Sequence, residues 1–138
     1  MATWIGLDFG VRRIGVAVGQ SLTSSASPLT TLCARDGRPD WEVLGRLIEQ
    51  WAPRGLILGL PFNMDDTEAE LVPRVRRFAR QLQGRFRLPV HLIDERLTSL
   101  EAERHLDARK RRPGDIDAYA AKLILETWLS EHPSQASD

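Results

Sequence analysis

The chain has 138 residues, 42% hydrophobic and 28% charged, with a formal net charge of zero; that size and balance describe one folded domain and exclude a disordered chain. Its apolar runs fall far short of the ~20 residues a membrane span needs, and no basic-then-apolar leader opens it, so a cytoplasmic protein without membrane attachment is expected. The single cysteine, Cys33, can form no internal disulfide, which suits a reducing compartment.

Thr3, Ile5, Leu7 and Phe9 alternate with Trp4, Gly6 and Asp8, the period of a strand. After Gly10 the run "IGVAVG" predicts a second strand, joined closely enough for a hairpin. "LTTLCA", after Pro28, predicts a third. Asp40 is placed as the N-cap of a helix carrying Trp41, Leu44, Leu47, Ile48 and Trp51 at helical spacing. "GLILGL" is wholly apolar, as expected for a strand covered on both faces. Thr67 and Glu70 fit a capping box before a helix with the stripe Leu71, Val75, Phe78 and Leu82. Pro73 conflicts with a helix interior, so the helix is expected to bend there or to start later. "VHLID" predicts another strand, and Thr98 with Glu101 a second capping box and a short helix. Pro113–Gly114 is placed as a breaker. Ile116, Tyr119, Ala120, Leu123, Ile124, Thr127 and Trp128 mark a last amphipathic helix.

The predicted order is β-β-β-α-β-α-β-α-α. With right-handed crossovers it gives an α/β fold, a mixed five-stranded sheet with helices on both faces. Residues 1–130 form one domain, and residues 131–138 are expected to fray as a flexible tail.

Acids fall where such a sheet carries its site, beyond the carboxyl ends of the parallel strands. Asp8 closes the first strand, Asp94 and Glu95 close the last, and Asp117 opens the last helix. Gly6, on the face of Asp8, is expected to leave space before that carboxylate, and Ala120 and Ala121 to let the helix approach closely. Converging carboxylates repel one another, and a divalent cation resolves the conflict. Hard oxygen donors select Mg²⁺ or Mn²⁺ over zinc, for which no Cys/His pattern is present. Two such ions ~4 Å apart suit phosphodiester hydrolysis. Strand parity alone leaves Asp94 and Glu95 as alternatives. Each acid also has an ordinary role in ending a strand, pairing with Arg96 or favouring a helix N-terminus.

"GLDFGVRRIGVA", "LGLPFNMD", "DERLTSLEAE" and "DIDAYAAKLILETWL" together resemble the YqgF/RuvX family, similar to the RuvC resolvases of the ribonuclease H-like superfamily. The four blocks stand in family order over residues 4–129. The resemblance implies a ribonuclease H-like fold and a metal-dependent nuclease whose acids are Asp8, Glu95 and Asp117, with Asp94 supporting Glu95. Implied substrates are the 5′ end of pre-16S ribosomal RNA or, alternatively, a four-way DNA junction. Either is cut by water attack on phosphorus to leave 5′-phosphate and 3′-hydroxyl ends. Two positions depart from the family pattern: Gly19–Gln20 replaces Ser-Asp, and Asp65–Asp66 replaces Asp-Gly.

The neutral total hides a basic middle. Residues 74–112 carry 12 Lys+Arg against 5 Asp+Glu, whereas residues 1–73 carry 6 against 9. Arg12 and Arg13 beside Asp8, Arg96 beside Glu95, and the loop of Arg109, Lys110, Arg111 and Arg112 before Asp117 are the expected phosphate contacts. Arg74, Arg76, Arg77 and Arg80 read as a solvated helix face, with secondary phosphate binding as the alternative. The four tryptophans fall on core positions, so backbone and shape recognition is expected rather than base stacking. Two rival functions share these features. One is a sugar-kinase-like ATP-binding domain, against which the short chain argues; the other is a non-catalytic nucleic-acid-binding or ribosome-assembly factor. Symmetric cutting of a junction would call for a homodimer.

Overall fold

A computed structural model describes residues 2–60, 71–94 and 113–137. Strand β1 (Thr3–Asp8) and strand β2 (Arg13–Gln20) form the expected hairpin, antiparallel from Thr3↔Gln20 to Asp8↔Gly15. Strand β3 (Ser25–Arg35) continues the meander. It starts before Pro28, not after it. The register shifts between Val16 and Ala17, opposite Pro28, and a bulge there spares the proline's missing N–H a place in the ladder.

The sheet has six strands, not five. The added one is β4 (Arg38–Pro39), paired with the end of β3 through the turn Asp36–Gly37. Asp-Gly between two extended runs is a strong hairpin signal, and it is what the five-strand expectation passed over. Helix α1 (Trp41–Trp51) follows, and the Asp40 side chain accepts from the Glu42 and Val43 amides at 3.0 and 3.4 Å, as its placement as N-cap requires. Strand β5 (Gly55–Leu60) lies parallel to β1, and strand β6 (Val90–Asp94) parallel to β5. The order across the sheet is β4-β3-β2-β1-β5-β6.

Helix α2 (Leu71–Phe86) lies between β5 and β6 in the chain. Pro73 falls in its first turn, where its lacking N–H has no intrahelical acceptor to lose, so the conflict disappears. Helix α3 (Pro113–Glu131) begins at the proline expected to break it. At a first helical position the fixed φ of proline favours the helix rather than ending it. Where a frayed tail is expected, the structure has helix α4 (Pro133–Ser137), and buried Ala136 accepts a 2.9 Å hydrogen bond from Trp4 Nε1. The capping boxes at Thr67 and Thr98 lie outside the described residues.

Helices cover both faces. Leu44 of α1 and Val75, Phe78 and Leu82 of α2 pack on Ile5, Leu7, Val16, Leu56 and Leu58. On the other face Ile124, Leu125, Trp128 and Leu129 of α3 pack on Trp4, Ile57 and Ile93. Each such fully buried side chain contributes roughly 1.5–3 kcal/mol. Trp4 and Trp128 are core residues, 4.6 Å between ring centroids. Trp41 and Trp51 are half-buried against the α1/α2 face.

Candidate functional site

The parallel strands β1, β5 and β6 end at one edge of the sheet. Asp8 is the last residue of β1 and 6% exposed; among the described residues it is the buried charged one. Asp94 is the last residue of β6, opposite Leu60. Strand alternation separates the two acids. Asp8 shares the α3 face with Trp4, and Ile93 packs there too, so Asp94 falls on the α2 face with Leu92.

Asp117 reaches Asp8 through the backbone. Asp8 pairs directly with Gly15, and a Cβ on Gly15 would overlap the Asp117 carbonyl oxygen. Opposed residues in a sheet point to the same side. The turn of α3 that carries Asp117 therefore rests on Asp8's cross-strand partner, on Asp8's face. Asp117 stands one turn inside α3 rather than at its start, so no capping role accounts for it.

A guanidinium joins the pair of acids. Arg13 Nε donates to Asp117 Oδ2 at 2.6 Å across 104 residues of sequence. The two side chains are 47% and 20% exposed, so water screens the pair and its worth is about 0–1 kcal/mol. Its consequence is positional: it fixes where the Asp117 carboxylate points. Arg12 is exposed at the same hinge.

One expectation is overturned. Gly6 does not leave space before Asp8. Helix α3 fills that space: a Cβ on Gly6 would stand 2.8 Å from Leu125 Cβ and 2.9 Å from the Ala121 carbonyl. Gly6 and Gly15 together form a bed on which α3 lies close. Ala120 and Ala121 are fully buried in that contact, as their small size suggested. Gly15 is the site residue that sequence reasoning missed. Its signal was a residue without a side chain between Ile14 and Val16, inside an otherwise apolar run.

Glu95, Arg96 and residues 109–112 lie outside the described residues. Among the described residues no three acids, histidines or cysteines form a metal cluster. Asp8, which is buried, and Asp117 carry hard oxygen donors, fit for Mg²⁺ or Mn²⁺ and ill-suited to a soft metal. Asp8 at its strand end, the turn of α3 that carries Asp117, and Arg12 and Arg13 of the β1–β2 hinge thus lie at one end of the sheet.

Comparison with known proteins bears on the family and the fold. A family model described as "RuvX: Holliday junction resolvase" matches residues 2–131. A relative from Coxiella burnetii (strain Dugway 5J108-111) is 51% identical over 133 residues, covering 95% of this chain and 94% of its own, and carries the name "Putative pre-16S rRNA nuclease". One from Azotobacter vinelandii, with the same name, is 48% identical over 134 residues, covering 94% of each. The solved T. thermophilus RuvC in complex with a Holliday junction substrate superposes with a TM-score of 0.60 at 15% identity, over 99% of this chain and 98% of that one. At that identity the likeness shows a shared fold.

Proposed function

Since the chain belongs to the RuvX family, we propose that it is a metal-dependent endonuclease of structured nucleic acid, acting at the 5′ end of precursor 16S ribosomal RNA. The observation that supports this is the seating of the Asp117 backbone on Gly15, the cross-strand partner of Asp8, which brings together segments from opposite ends of the sequence. Acids brought to one place in a fold repel one another, and a bound cation relieves that repulsion. Asp8, Asp117 and Glu95 are the ligands of Mg²⁺ or Mn²⁺. Asp94, on the opposite face from Asp8, supports Glu95 rather than replacing it.

Divalent ions at such a site, two in this reading, supply activation of a water and charge neutralisation at the phosphate. The chain's own residues do the rest. Asp8 is held by burial at a strand end, so its carboxylate cannot drift. Arg13 balances Asp117 and keeps one face of its guanidinium toward solvent, where a phosphate arrives. Arg12, Arg96 and residues 109–112 grip the backbone.

The names of relatives near 50% identity favour ribosomal RNA. The description of the family model favours the second reading, a four-way DNA junction cut by a homodimer. No helix of the described residues is long and apolar enough to cross a membrane; we place the enzyme in the cytoplasm, with its RNA.

The test is cleavage of end-labelled pre-rRNA and of four-way junctions with Mg²⁺ or Mn²⁺, with Asp8→Asn as control and the ends mapped. RNA cut at a defined 5′ site, lost in Asp8→Asn, supports the proposal. Junction cleavage alone selects the second reading. Wild type that cuts neither, or an Asp8→Asn variant that cuts as well as wild type, refutes both.

A further inference from the structure

We propose that a cleft between the β3–β4 turn and α2 holds the sugar–phosphate backbone away from the cut, with Arg38, Arg74 and Arg77 as its phosphate ligands. The proposal rests on the nucleic-acid reading above and adds a second contact region on the opposite face of the sheet.

The cleft encloses about 90 Å³, with Phe9 and Phe78 on its floor and the three arginines on its walls. The two rings are 5.1 Å apart between centroids, so the floor is apolar and braced. The turn that forms one wall is fixed. Asp36 and Gly37 both take positive φ, 53° and 80°, as a two-residue hairpin demands. Gly37 lies flat on Phe9: a Cβ there would stand 2.9 Å from Phe9 Cζ.

Charge gives the cleft its ligand. Arg74 donates to Asp36 Oδ1 at 3.0 Å. Among the described residues Arg38 and Arg77 have no acidic partner. Among the described residues that line the cleft, three arginines thus stand with one carboxylate. Neighbouring guanidiniums repel one another unless an anion sits among them, and their planar forks match phosphate oxygens. Position makes that phosphate part of the substrate. Phe9 follows Asp8 in the chain, and alternation turns its side chain to the other face. The cleft and Asp8 therefore lie on opposite faces at the same end of β1, lined by residues that are neighbours in the chain. A nucleic-acid strand bending over that end of the sheet meets both.

The experiment measures fluorescence anisotropy of a labelled single-stranded pre-rRNA leader and of a labelled four-way DNA junction, in EDTA so that nothing is cut, over a salt series. Arg38→Ala/Arg77→Ala should weaken binding about tenfold and lower the salt slope by roughly 1.4 on single-stranded RNA, ~0.7 for each phosphate lost. Asp36→Asn should tighten binding severalfold, because it removes the competing carboxylate; Asn tolerates positive φ, so the turn survives. These opposite signs separate phosphate binding from damage to the fold. Arg54→Ala, at the opposite end of the strands beside Thr3, should bind as wild type does. Wild-type affinity and slope in the double variant, or no tightening in Asp36→Asn, overturns the cleft. If wild type shows this pattern yet cuts nothing with Mg²⁺ or Mn²⁺, the nuclease reading fails and the cleft stands. If it cuts normally while the variants bind unchanged, the cleft alone fails.

Discussion

Asp117 is held twice, its carbonyl over Gly15 and its carboxylate by Arg13. The two restraints predict different losses. Gly15→Ala forces a methyl into the Asp117 carbonyl, and overpacking of this kind costs about 1–3 kcal/mol. A thermal melt should fall by several degrees, and cleavage should fall with it because Asp117 moves off Asp8. Arg13→Ala should leave the melt nearly unchanged, since the pair is half-exposed. Its cleavage should nevertheless drop roughly 10–100-fold, as for the loss of a group that orients a ligand. Arg13→Lys should recover part of it; full activity in Arg13→Ala would remove Arg13 from the site. At this scale the acids were legible in the sequence, because an aspartate ending an apolar strand is conspicuous. The role of the glycines was not. Gly6 and Gly15 look alike as gaps in a pattern, and what fills a gap depends on an element more than a hundred residues downstream.

Among the elements, α3 does the most to build the site, and α4 helps to seat it. Trp4 packs on Trp128 of α3 and donates to Ala136 of α4, linking β1 to both C-terminal helices. Ending the chain at His132 should cost on the order of 1–3 kcal/mol, the penalty of leaving the buried indole N–H without its acceptor. The measurement is a urea titration; an unchanged midpoint would show that α4 contributes nothing to stability. Periodicity revealed α1, α2 and α3 because each has one apolar stripe. It misplaced the ends of α3 and hid α4. Pro113 stops a helix from one side and starts one from the other, and sequence spacing does not say which. A five-residue helix shows too little of a period to be seen. β4 was hidden for the same reason: two residues have no alternation, and only the Asp36–Gly37 turn announces them.

Across the whole molecule, acid chemistry sits at the carboxyl ends of the parallel strands and an aromatic stack at the other end. There His91 lies against Trp128 at 5.1 Å and Trp4 at 6.0 Å, and Trp128 stacks on His132 at 5.0 Å. Burial first, then the charge of His132, lower the His91 pKa below its ordinary 6.5. Above pH 6.5 His91 is neutral folded or unfolded and has no effect on stability. As pH falls through 6.5 the unfolded chain takes up a proton that the folded one resists, so stability declines. Melts between pH 7.5 and 5.5 should show that decline, and it should be shallower in His91→Phe, which keeps a ring in the stack. Equal slopes would assign the pH response to other groups. The mixed sheet with helices on both faces was legible from strand and helix order, whereas its sixth strand was not. Glu95 remains the proposed third acid on resemblance. The 104 residues between Arg13 and Asp117 also have a meaning in time. At roughly 5–20 residues per second, a growing chain carries Asp8 and Arg13 for about 5–20 s before Asp117 is even synthesised. On the proposed function, a nascent fragment without the final long helix lacks one of the acids that cutting needs, so the ribosome making this protein meets a complete site only when translation is almost done.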